Sequence, residues 1–129
     1  MQTFFILNIG GKQMTSTYNF PTHIKGDTFD GAQFTLSLNG TAIDLTNAII
    51  TMDLRHTRDG VSVKRFTSVG DADITIGTPA SDGIFTINNQ IIDVDAQKYY
   101  YDIQILFPDN TVKTYVSGIW LITQDVTYD

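Results

Sequence analysis

The sequence predicts an all-β fold, an antiparallel two-layer β-sandwich, and three observations carry that expectation. First, two long runs of period-two hydrophobicity between Tyr99 and Val126 flank Pro108-Asp109-Asn110. Tyr99, Tyr101, Ile103, Ile105 and Phe107 fall on one face of the first run, and Val112, Val116, Trp120 and Ile122 on one face of the second, the spacing of a β-hairpin. Second, all fourteen acidic residues are aspartate, a turn and cap former, where glutamate would favour helix. Third, short apolar runs are punctuated about every 8–12 residues by Gly, Asn or Asp, which suits a sandwich or barrel better than βαβ units.

Taken in order, residues 1–12 form an amino-terminal arm or a first strand: Phe4-Phe5-Ile6-Leu7 followed by the flexible break Gly10-Gly11. Residues 13–129 form a single β-sandwich domain. Met14 to Phe20 reads as a strand ended by Pro21. Ala32, Phe34, Leu36 and Leu38 alternate with Gln33, Thr35 and Ser37 up to the reversal Asn39-Gly40, the cleanest half-buried strand in the chain. Ala48, Ile50, Met52 and Leu54 point one way while Thr51, Asp53 and Arg55 point the other, up to Asp59-Gly60. Val63–Thr67, Ile74–Ile76 and Ile84–Ile87 are shorter strands. Ile91 to Lys98 is the one segment with a helical option, since Asp93 or Asp95 could cap a short turn before Ala96. Asp95 to Tyr99 resembles a tyrosine corner, in which a hydroxyl returns to an upstream backbone group, with Tyr99, Tyr100 and Tyr101 all candidates.

Composition bounds the function. A chain of 129 residues, 42% hydrophobic and 17% charged, is long and apolar enough to fold around one core. At a net charge of −6 its eight Lys and Arg are scattered, only Lys64-Arg65 being adjacent, so neither nucleic acid nor an anionic membrane is an expected partner. The absence of Cys removes thiolate metal sites and thiol nucleophiles. His23 and His56 lie on separate segments, no serine sits in a nucleophile motif, and the pairs Asp71/Asp73 and Asp93/Asp95 do not extend into a calcium loop. No catalytic residue, metal or cofactor is expected. Phe4 to Leu7 is too short for a signal sequence, which leads to the expectation of synthesis in the cytoplasm. Tyr99 and Tyr101 belong to the core, whereas Tyr100 and Tyr115 are candidates for an interface, together with Phe4, Phe5, Ile6 and Leu7.

Several phrases, in order over residues 20–127, resemble the small amino-terminal sandwich of phage baseplate upper proteins and related phage tail proteins. They are Lys25-Gly26-Asp27-Thr28-Phe29, the run from Asn39 to Ile50 leading into Met52-Asp53-Leu54-Arg55, and Gly83-Ile84-Phe85-Thr86-Ile87. Tyr99 to Ile103, Thr111 to Gly118 and Ile122 to Thr127 complete the set. The resemblance implies an immunoglobulin-like sandwich and a non-enzymatic virion role, made in the host cytoplasm and docked in multiple copies onto other phage structural proteins of the tail, baseplate or neck. In that family a stalk and receptor-binding parts often follow the sandwich; this sequence ends at Asp129, so an adaptor or connector is expected rather than a receptor-binding protein. The alternative is a carbohydrate-binding sandwich for host-surface adhesion, with Tyr100, Tyr115 and Trp120 as a stacking platform.

Overall fold

The hairpin foreseen in the last third of the chain is the spine of the molecule. The structure, a computed structural model, describes residues 15–124 in full and residues 2–8 in backbone. Its strands are β1 (Gln2–Asn8), β2 (Ser16–Thr17), β3 (His23–Ile24), β4 (Thr28–Phe29), β5 (Ala32–Leu38), β6 (Thr41–Ala42) and β7 (Ile49–Arg55). There follow β8 (Lys64–Thr67), β9 (Ile74–Ile76), β10 (Ile84–Ile87), β11 (Gln90–Ile91), β12 (Lys98–Leu106) and β13 (Val112–Thr123).

One sheet runs β2-β13-β12-β7-β8, with β3 also on β13; the other runs β1-β5-β10-β9, with β6 on β5; β4 and β11 form a small third pair. The long strands pair antiparallel, while β1 on β5 and both β2 and β3 on β13 pair parallel at the margins. The two sheets enclose one core, and the fold is an all-β, two-layer immunoglobulin-like sandwich.

The alternation read from the sequence is what fills that core. Phe34, Leu36, Phe85 and Ile87 come from one sheet, and Ile50, Met52, Leu54, Tyr101, Ile103, Ile105 and Trp120 from the other; all are buried. Phe34 lies opposite Phe85 in register, their rings stacked at 5.2 Å between centroids. Phe20 inserts between the layers, 4.6 Å from Trp120 and 4.9 Å from Tyr101.

The tyrosine corner belongs to Tyr99, whose hydroxyl donates to the Asp95 carbonyl at 2.6 Å. Two residues on, where antibody domains carry a disulfide cysteine, stands Tyr101. Its hydroxyl donates to the Tyr18 carbonyl and so ties the segment after β2 to β12. That segment lies so close to β13 that a Cβ on Gly118 would fall 1.8 Å from the same carbonyl oxygen.

Three expectations are corrected. Ile91 to Lys98 forms no helical turn: after β11 the chain bends irregularly, and the Asp95 carbonyl serves the corner instead of a helix. The described part of the strand expected from Met14 to Phe20 is regular only at Ser16–Thr17; beyond it Tyr18 and Phe20 still donate to the Ser117 and Ile119 carbonyls of β13, while the Phe20 side chain enters the core. Val112 does not share a face with Val116, being 56% exposed. Ile103 pairs with Val116 but Gln104 with Thr114, so Tyr115 is an extra residue in a β-bulge, and beyond it every side chain of β13 changes face.

The backbone of residues 2–8 pairs with β5 along its whole length, Phe4 with Phe34 and Ile6 with Leu36. The side chains of Phe4, Phe5, Ile6 and Leu7, the break at Gly10-Gly11, Met14 and the end of the last resembling phrase, Asp125 to Thr127, lie outside the described residues.

Candidate docking face

Strand alternation turns the even residues of β12 away from the core. Register then sets Tyr100 beside Arg55, Asp102 beside Asp53, Gln104 beside Thr51 and Leu106 beside Ile49 on β7. On the other flank Ile119, Ser117, Thr114 and Val112 of β13 lie beside the same four residues, and Arg65 of β8 lies beside Asp53. The outer face of the six-stranded sheet is therefore assembled from segments that are far apart in sequence.

Its centre is an ion network. Asp53 and Asp102 stand directly opposite each other, a like-charge pairing that destabilises a sheet unless cations intervene. Arg65 donates to both Asp53 oxygens, Nε to Oδ1 at 2.7 Å and Nη2 to Oδ2 at 2.9 Å, and the Ser62 hydroxyl donates to Oδ1 at 3.0 Å. Arg55 spans the two carboxylates, with Nη2 3.3 Å from Asp53 and Nη1 3.1 Å from Asp102. Asp53 is only 3% exposed. The hydrogen bonds from Arg65 nonetheless hold its carboxyl below the usual range, against the opposing effect of burial, with help from Ser62 and the charges of Arg65 and Arg55. The same hydrogen bond raises the Arg65 guanidinium.

At one end of this network stands Tyr100, half-buried. The Arg58 guanidinium carbon is 4.8 Å and the Lys98 ammonium 5.0 Å from the centroid of its ring. A hollow of about 100 Å³ opens there, lined by Arg55, Arg58, Tyr100, Asp102 and Ser117. Asp102 Oδ1 is buried and, among the described residues, accepts no hydrogen bond.

The other end of the face is apolar. Ile49, Leu106, Val112 and Val69 are exposed around an open depression of about 450 Å³. Leu106 lies six residues along β12 from Tyr100, roughly 20 Å.

Of the residues expected at an interface, Tyr100 lies on this face and Tyr115 does not. Tyr115 is 4% exposed, because the bulge that turns Val112 outward turns it inward beside Val116; burial raises its phenol pKa. Trp120 is fully buried, stacked on Phe20. Tyr100, Tyr115 and Trp120 therefore do not form the platform that glycan stacking would need.

The remaining polar residues singled out in the sequence have structural surroundings. His23 Nε2 donates to the Asp27 carbonyl at 2.9 Å, with the ring edge-on to Phe29 and Trp120, and His56 lies against Tyr99. Asp73 Oδ2 accepts from the Thr67 amide at 3.1 Å, and Asp95 meets Lys25 at 3.7 Å. Among the described residues, no three His, Cys, Asp or Glu side chains converge as a metal site would require, and no helix is long and apolar enough to cross a membrane.

Sequence reading missed the grouping of Arg55, Arg58, Arg65 and Lys98, cations that look scattered along the chain. The outward pointing of Asp53 and Arg55 was legible from alternation; Arg65 joins them only through the β7–β8 register.

No protein-family model and no curated protein sequence matches the chain. Among solved structures it is similar to CopC from Methylosinus trichosporium OB3b, at 8% identity and a TM-score of 0.44, over 84% of this chain and 89% of that one. It is also similar to the chain of the ZIG-8 IG1 homodimer, at 12% identity and a TM-score of 0.37, over 86% and 81% respectively.

Proposed function

We propose that the protein is a non-enzymatic structural protein of a phage particle, an adaptor or connector that docks tail, baseplate or neck components in multiple copies. The observation that carries the docking role is the outer face of the six-stranded sheet. Exposed Ile49, Leu106, Val112 and Val69 there adjoin a preassembled ion network and Tyr100, on strands anchored from behind by the core. A rigid face loses little conformational freedom on association, so modest contacts suffice for each copy, and repetition on a symmetric particle adds avidity. The phage setting is supported by the resemblance of residues 20–127 to baseplate upper proteins.

The test is mass spectrometry of purified particles, in which the protein must be found, followed by the double variant Leu106→Lys/Val112→Lys. Both side chains are exposed, so the variant should keep the parent circular dichroism and melting temperature while losing incorporation. A particle that lacks the protein refutes the virion role. Normal incorporation of the variant removes the apolar end of the face from the docking surface.

A further inference from the structure

We infer that the Tyr100 end of the outer face is a binding site for a carboxylate-bearing polypeptide segment of the partner. The cations Arg58 and Lys98 are both held against one ring, and among the described residues neither has a carboxylate partner. Arg55 and Arg65, by contrast, are engaged by Asp53 and Asp102. Asp59 follows Arg58 in the loop yet forms no ion pair with either free cation.

Charge complementarity selects the occupant. Arg55, Arg58, Arg65 and Lys98 outnumber Asp53 and Asp102 by two positive charges, while the rest of a chain of net charge −6 is left at −8. An acidic segment is repelled by the rest of the molecule and attracted here, which fixes where it lands and in which orientation.

The sign of these charges also excludes the opposite partner: a cationic segment would meet Arg58 and Lys98 head-on.

This inference rests on the docking face proposed above and names the chemistry of what docks there. The experiment is a titration of the uniformly ¹⁵N-labelled full chain with a hexa-aspartate peptide at low ionic strength, using hexa-asparagine and inorganic phosphate as comparisons. Amide shifts should move at Arg58, Lys98, Tyr100, Asp102 and Ser117, fade with added salt, and be absent with hexa-asparagine. The folded double variant Arg58→Gln/Lys98→Gln should bind the acidic peptide about five- to tenfold more weakly. Shifts that map elsewhere, unchanged affinity in the double variant, or phosphate binding as tightly as the peptide would each overturn the inference. The titration reads purified protein, so its failure is distinct from absence of the protein from particles.

Discussion

Gly118→Ala should destabilise the sandwich strongly, because β13 and the segment after β2 touch backbone to backbone at that point. The added Cβ would sit 1.8 Å from the Tyr18 carbonyl oxygen and 3.0 Å from the Tyr101 ring. A relaxed carbon–oxygen contact needs roughly 3.3 Å, so the segment must retreat by about 1.5 Å. Three hydrogen bonds resist that retreat: Tyr18 N–H to the Ser117 carbonyl at 2.9 Å, Phe20 N–H to the Ile119 carbonyl at 3.2 Å, and the Tyr101 hydroxyl to the Tyr18 carbonyl. Overpacking of this kind costs about 1–3 kcal/mol and the loss of one of these hydrogen bonds about 0.5–1.5 kcal/mol, which together give about 1.5–4.5 kcal/mol. For a domain of this size that lowers Tm by about 8–15 °C. Thermal unfolding followed by circular dichroism measures it, with Gly40→Ala as reference: Gly40 has φ +81° but nothing within 4 Å of its virtual Cβ, so only about 1 kcal/mol of backbone strain applies. A Gly118→Ala protein that melts within about 2 °C of the parent, or no lower than Gly40→Ala, would refute the backbone contact and the anchoring of the β2 segment with it.

Asp53 has its carboxyl pKa depressed in the folded state, so its stabilising contribution is complete above the unfolded value and disappears as pH falls through the folded one. Asp53→Asn should cost about 1–3 kcal/mol near neutral pH and flatten the loss of stability as pH falls below the usual aspartate range, read from urea midpoints; parallel pH curves for the two proteins would show that Asp53 is not coupled to Arg65. Tyr99→Phe removes only the bond to the Asp95 carbonyl, and urea unfolding should show a loss of about 1 kcal/mol with an unchanged far-UV spectrum; no loss would mean that the corner hydroxyl is replaced by water at no cost.

Much of the fold was legible because period-two alternation reports burial directly. Phe34 and Leu36, Ile50 to Leu54, and Tyr101 to Ile105 are buried as alternation requires, since a strand packed on one side has no other way to hide those side chains. What alternation cannot encode is a change of phase. Nothing in Val112-Lys113-Thr114-Tyr115-Val116 marks Tyr115 as an extra residue, because a bulge is decided by how two strands fit over their whole length. Unbroken alternation therefore puts Val112 inside and Tyr115 outside, the reverse of where the bulge places them. The docking face was half legible for a related reason: the outward direction of Asp53 and Arg55 follows from β7 alone, but their meeting with Asp102 and Arg65 depends on two inter-strand registers. Alternation leaves the corner tyrosine open as well, since three consecutive tyrosines satisfy the same pattern; the hydroxyl that meets the Asp95 carbonyl is that of Tyr99.

The bulge also explains why one end of the outer face is apolar. Without the extra residue, the pairing that joins Ile103 to Val116 would continue one step out of phase, bringing Tyr115 beside Gln104 and Lys113 beside Leu106 on the outer face. The charged tip of Lys113 would then interrupt the apolar patch, and the phenol of Tyr115 would be exposed. With the bulge, Val112 and Ile49 flank Leu106 on either side, Lys113 leaves that row, and Tyr115 joins the core. Against the burial of Tyr115, about 1.5–3 kcal/mol, stand one forfeited ladder hydrogen bond, about 1 kcal/mol, and the apolar burial that Val112 gives up. The same single residue thus buries an aromatic side chain and re-aims a valine towards solvent, and the apolar end of the docking face follows from the register of the hairpin without a separate device to expose it.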